Sequence, residues 1–385
     1  MQGKKLRAEV RKRRGEMTRV LKALIAKKTV NPPGNESLVT DYLEKYFGER
    51  GIKTKKFEKE KGRTNLVAWI GRGKPELMIV AHSDVVPAGT GWKTPPFKGI
   101  EKNGKIFGRG SADNKGPLAA SAVFLSLMKE HEHELKGKLS LLVAADEERG
   151  SELGAGFLLK ARKIKPDFVL VPDVFTENRE VSIGEKGLLH LRVVAQGKQA
   201  HASEPWRGKN AIEKMASFLC ELKKLDLPES KDRYFSSTTK STGTIRGGEA
   251  TNIVPANCEA TIDLRYPPNV KLKELLASIK RIGKKHGVRI LVEEHQGPFV
   301  ISSKLQLFRA IVKNARIVTG KKPRIASMAG TTVCKKFVLH GIPAVGFGPG
   351  KMVAHNSNEF ISVKQLTEFA EVLALVSLEL LGKKA

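Results

Sequence analysis

The sequence predicts an α/β protein whose main domain carries a mixed, mostly parallel sheet flanked by helices and is interrupted by an inserted ferredoxin-like α+β domain. Three observations carry this reading. First, brief apolar runs recur at LMIVAH (77 to 82), LSLLVAA (139 to 145), FVLVP (168 to 172) and IPAVGF (342 to 347). Each has the length and composition of a strand buried on both faces. Second, helical stretches lie between them, notably Pro117 to Lys129 and Gly154 to Arg162, and such alternation builds parallel or mixed sheets. Third, the order after Gly184 is strand 188 to 195, helix 210 to 224, strand 241 to 246, strand 256 to 264, helix 271 to 286 and strand 288 to 294. That β-α-β-β-α-β series is the ferredoxin-like pattern.

A chain of 385 residues is long enough for two cores, here placed at 1 to 183 with 297 to 385, and at 184 to 296. Ahead of the first strand, Leu6, Val10, Met17, Val20, Leu21, Leu24 and Ile25 recur at near-helical spacing and predict one amphipathic helix over 6 to 28. The breaker Asn31-Pro32-Pro33-Gly34 ends it, and a second helix follows from Ser37 to Gly51. Lys231 to Thr242 is polar enough to form a mobile loop.

Apolar residues make up 40% of the chain, and no run approaches the roughly 20 needed to span a bilayer. The basic N-terminus lacks a signal peptide's apolar core, and its Glu9 and Glu16 fit a transit peptide poorly, so a soluble cytoplasmic protein without membrane association is expected. The three cysteines, Cys220, Cys258 and Cys334, are not spaced as a thiolate zinc site or a redox pair. Any metal must then sit among carboxylates and imidazoles, which suits zinc, cobalt or manganese. The net charge of +29 makes a polyanion a candidate partner. The basic residues are spread along the chain, however, aromatics are only 6%, and no nucleic-acid motif accompanies them, so specific nucleic-acid binding is not expected.

Several polar residues stand at or just beyond the ends of the apolar runs. In AHSDVV, His82 and Asp84 share a strand face, which fits a metal-binding imidazole with a carboxylate orienting its ring, or a plain surface pair. GRGSADNKG presents Asp113 from a glycine-rich turn before a helix, equally the pattern of a helix cap. In ADEERGS, the adjacent Asp146, Glu147 and Glu148 repel one another unless cations or protons neutralise them; beside a metal, one glutamate coordinates while its neighbour takes a proton from water, and a solvated acidic turn is the plainer alternative. Asp173 follows the third run and His355 the fourth. Together these residues gather where open α/β sheets place their sites, and two imidazoles with three carboxylates, one of them shared, suffice for two divalent ions.

With these motifs in this order, from VNPPGNE through GKQAHAS, GGEATNIVPANCEATIDLRYPP, AGTTVCKKF and GIPAVGFGPG to AHNSNE, the chain resembles the M20 metallopeptidases from about Thr29 onward. That family includes acetylornithine deacetylase, succinyl-diaminopimelate desuccinylase, aminoacylase and glutamate carboxypeptidase. The resemblance implies two zinc ions, one on His82, Asp113 and Asp173 and the other on Asp113, Glu148 and His355. It implies that Asp84 orients His82 and that Glu147 is general base and then acid. His201 would reach an active site, often the partner subunit's, to bind the oxyanion, and Asn252, Arg265, Gly330 and Thr331 would bind the substrate's carboxylate. His201 as a strand-end residue and Arg265 as a structural ion-pair partner are the plainer alternatives. The inserted domain would be a lid and the interface of a homodimer. The implied reaction is hydrolysis of the amide bond of an N-acyl amino acid or small peptide with a free carboxylate. Glu185 and Lys186 replace an arginine pair of typical desuccinylases, and AGTTVCKKF lacks their aspartate, which argues against that particular active site. A non-catalytic relative that binds metal or a partner, or a basic polyanion-binding protein, completes the set of readings.

Overall fold

The structure, a computed structural model, describes residues 2–383; Met1, at the head of the basic segment, and the last two residues lie outside the described residues. The chain divides into two compact units, one of Met1–Ile183, Ile301–Ala326 and Thr332–Ala385, the other of Gly184–Val300 with Ser327–Thr331.

In the first unit the apolar runs become strands Glu76–His82, Lys138–Ala144, Phe168–Val171 and Ala344–Gly346, which pair in parallel around Glu76–His82. Antiparallel strands flank them, Lys53–Glu58 and Thr64–Gly71 on one side and Glu180–Glu185 on the other. The sheet is mixed with a parallel centre, so the parallel strands all deliver their C-terminal ends to one edge. Helix Lys115–Glu130 packs on the sheet and is apolar nearly all round, as a helix enclosed on every side must be. Helix Val363–Leu381 packs against it.

The basic N-terminus departs from the single predicted helix. It forms two, Gln2–Lys12 and Arg14–Ala26, parted at Arg13 where the N–H reaches back only to the Val10 carbonyl, 3.0 Å away. Gly15, a poor helix former, adjoins the break. Leu6 and Val10 of the first helix are buried, and Arg7 and Arg11 donate to the buried carboxylate of Glu371 at 2.6 Å each. The next helix ends at Gly48 rather than Gly51.

In the second unit the strands run Thr239–Gly247, Asn257–Tyr266, Gly187–Gln196, Val288–Gln296 across an antiparallel sheet. The β-α-β-β-α-β order is thereby wound so that the first and third strands are neighbours. Helices Ala211–Lys224 and Leu272–Lys285 bury Met215, Phe218, Leu222, Leu275 and Ile279 on one face of this sheet. The expected loop 231 to 242 is anchored: Phe235 is buried, Lys186 donates to the Ser237 carbonyl, and a strand already begins at Thr239. No described helix is long and apolar enough to cross a membrane.

His131 lies between Glu9 of the first helix and Glu134, at 2.7 and 2.9 Å. Burial disfavours its charged form, but the two carboxylate contacts outweigh that and raise its pKa. A raised folded-state pKa stabilises below the unfolded value and is lost as pH rises through the folded one. Thermal melts of His131→Asn should therefore fall further below the native protein near pH 5 than near pH 9, by at most about 1 kcal/mol.

Candidate metal centre

His82 ends the strand Glu76–His82 with its ring buried, its Nε2 2.9 Å from Asp113 Oδ1 and its Nδ1 3.0 Å from the main-chain oxygen of Asp84. The Asp84 carboxylate is 3.5 Å from that same Nδ1 and accepts from Asn31 Nδ2 at 2.8 Å and from the backbone N–H groups of Glu147 and Glu148 at 3.1 and 3.2 Å. One buried carboxylate thus adjoins the imidazole and fixes the turn that carries both glutamates. The turn starts at Asp146, whose φ of +60° is held by contacts with Asn31, Arg63 and the Leu153 N–H.

Asp113 comes from the glycine-rich loop. Gly110 has φ +85°, and a Cβ on Gly116 would stand 2.1 Å from the Ser111 carbonyl oxygen, so glycine is required for the tight approach. The loop folds around Glu359, a fully buried carboxylate that accepts from the N–H groups of Gly110, Ala112 and Asp113 at 2.9, 2.7 and 3.0 Å. Arg109, also buried, donates to Glu359 at 2.8 Å and to the carbonyls of Pro87, Ala88, His355 and Asn356 at 3.2 to 3.3 Å. This pair ties together the loop after Asp84, the Asp113 loop and the tail bearing His355, whose φ of +65° needs such support. Sequence reasoning missed both residues; the only signal was a charge at each end of motifs already singled out, GRGSADN and AHNSNEF.

His355 Nε2 stands 3.2 Å from Asp113 Oδ2 and 3.1 Å from Glu148 Oε2. Asp173 follows the strand Phe168–Val171, near Asn114 Nδ2 at 3.3 Å. Two triplets therefore offer ligand atoms that all lie within 4.8 Å of one another: His82, Asp113 and Asp173, and Asp113, Glu148 and His355. Asp113 belongs to both.

The electrostatics express an excess of negative charge. Burial and the carboxylates of Asp173, Glu148 and Asp113 push Glu147 well above its ordinary pKa. Burial likewise raises Glu148, whose Oε1 is buried without a hydrogen-bond partner among the described residues. Asp113 is depressed despite its burial by its contacts with His355 and His82, and hydrogen bonds to Asp113 and Glu148 push His355 up to about 10. An orphaned carboxylate oxygen beside two O/N donor sets fits hard or borderline divalent cations.

The other candidate residues lie in the second unit. His201 is exposed on a short ribbon with Ile253 and Val254, its Nδ1 2.7 Å from Ser203 Oγ. The carbonyl of the adjacent Asn252 accepts from Ala202 N–H at 3.0 Å. Arg265 spends a fork on Asp263, at 2.8 and 2.9 Å, and donates to Thr331 Oγ1 at 3.3 Å, next to Gly330. Arg265 therefore has a structural partner two residues away on its own strand.

Residues 78–379 match the sequence profile of peptidase family M20/M25/M40. An uncharacterized metallohydrolase of Methanocaldococcus jannaschii is 31% identical over 338 residues, covering 80% of this chain and 82% of its own. A succinyl-diaminopimelate desuccinylase of Zymomonas mobilis is 30% identical over 364 residues, 91% of this chain and 94% of its own. Among solved structures, an M20 family metallo-carboxypeptidase of Sulfolobus solfataricus has the same fold, with a TM-score of 0.79 at 24% identity over 94% of this chain and 99% of its own.

Removing one member of a buried ion pair leaves the other charge uncompensated, at a cost of about 3–5 kcal/mol. Urea unfolding of Glu359→Ala should show a loss of that size, and the double variant Arg109→Met/Glu359→Leu should recover part of it.

Proposed function

The chain belongs to peptidase family M20/M25/M40 and is a metal-dependent hydrolase of amide or peptide bonds, and from that premise we propose a two-metal amidohydrolase acting on an N-acyl amino acid or small peptide with a free carboxylate. The observation that carries the reading is the pair of ligand triplets sharing Asp113, with Glu147 in the turn beside them. His82, Asp113 and Asp173 would hold one ion and Asp113, Glu148 and His355 the other, zinc for preference, with cobalt or manganese as substitutes. When bound, such ions polarise the scissile carbonyl and acidify water.

The protein's own groups divide the remaining work. Asp84 backs the Nδ1 side of His82, which fixes the ring so that Nε2 faces the centre. Glu147 takes a proton from the attacking water as the C–O bond forms and delivers it to the departing nitrogen as the C–N bond breaks, with no covalent intermediate on the protein. Its raised pKa, caused by burial and neighbouring carboxylates, suits a group that must hold that proton between the two steps.

His201 would steady the oxyanion, and Asn252, Arg265, Gly330 and Thr331 would recognise the substrate's carboxylate; the N–H groups of Arg265 turned away from Asp263 are suited to that task. A cytoplasmic homodimer through the second unit goes with the reading. The edge strand Thr239–Gly247, whose exposed residues include Ile245, supports it.

The test is hydrolysis of N-acetyl and N-succinyl amino acids and dipeptides, with zinc or cobalt and after chelation. Turnover should require metal and vanish in Glu147→Gln, with metal content by mass spectrometry unchanged, whereas His355→Ala should lose about one ion per chain. Equal metal loss in both variants would contradict this division of roles.

A further inference from the structure

The two N-terminal helices precede the segment that matches the family profile and contribute no residue to the metal centre. Their cations fall into two sets. Arg7 and Arg11 pair with Glu371, Arg13 with Glu130 and Lys22 with Glu101, which holds the helices to the body. Lys4, Lys5, Lys12, Arg14 and Arg19 are exposed and make no ion pair among the described residues.

Lys12, in the last turn of Gln2–Lys12, suits the helix dipole, but two members of this set are placed against the fold's interest. Lys4 and Lys5 stand in the first turn of Gln2–Lys12, which contains no acidic residue; the helix dipole there disfavours cations. At about 100° per residue, Lys4, Lys5, Arg11 and Lys12 share one face, directly opposite the buried Leu6 and Val10.

We propose that this face, with Lys4, Lys5 and Lys12, docks the phosphate backbone of a double-stranded nucleic acid without reading its sequence. The net charge of +29 supplies a long-range attraction, and the unpaired cations supply the contacts. The face carries no aromatic side chain on which unstacked bases would rest, which favours a duplex over a single strand. An anionic membrane is a poorer match, because the apolar side of the helix is consumed by the body and none is left to enter a bilayer.

The experiment is fluorescence anisotropy of a labelled duplex of arbitrary sequence with the full chain over a salt series, comparing native protein with Lys4→Glu/Lys5→Glu/Lys12→Glu. A control with the same charge change, Lys273→Glu/Lys280→Glu/Lys284→Glu, alters exposed lysines of helix Leu272–Lys285. Thermal melts check that both variants fold; Lys4→Glu and Lys5→Glu favour the first helix's dipole, whereas Lys12→Glu, in its last turn, opposes it. Each lost phosphate contact flattens the slope of log affinity against log salt by about 0.9, so the N-terminal variant should lose close to 3 in slope and the control much less. Equal loss in both variants would reduce the effect to diffuse charge and overturn the proposal. So would absence of duplex binding, or native protein that pellets with phosphatidylglycerol vesicles but ignores the duplex.

Discussion

Several carboxylates brought together at one buried edge of a sheet cannot all remain ionised unless positive charge is brought with them. Asp113, Asp173, Glu147 and Glu148 meet in this way where the parallel strands of the first unit end, and burial together with their mutual repulsion displaces the pKa of both glutamates upward. Two imidazoles relieve part of it, each in contact with Asp113. Much of the surrounding structure serves to keep these mutually repelling groups in place. Asp84 binds the N–H groups of the glutamate turn, and Glu359 with Arg109 gathers the Asp113 loop and the His355 tail. A centre so assembled selects for divalent cations and, with them, for hydrolytic chemistry.

What the sequence revealed was mostly local. Four apolar runs have the length and composition of buried strands and became the parallel centre of the sheet, and the α/β class with its ferredoxin-like insertion followed from element order alone. The flanking strand Lys53–Glu58, KTKKFE, went unread because it is an exposed edge with little apolar character to mark it. The division of the N-terminal helix at Arg13 was hidden for a related reason: the apolar spacing continues across the break, so periodicity alone does not mark it.

The chemistry-bearing residues stood out because acidic and histidine side chains beside apolar strands are conspicuous. Their supports did not. Arg109 and Glu359 are separated by 250 residues, and nothing in either motif announces that the two charges are buried against each other. Arg265 offers the opposite lesson. Asp263, two residues earlier, was available to the eye as a same-face partner, and the structure uses it so, which makes any role in binding substrate an addition to a structural one.

In the proposed centre one shared carboxylate, Asp113, joins two metal sites. The most direct measurement is anomalous diffraction from crystals of the protein grown with zinc. Two peaks per chain are expected, one among His82, Asp113 and Asp173 and one among Asp113, Glu148 and His355. A single peak, or density away from Asp113, would contradict that arrangement.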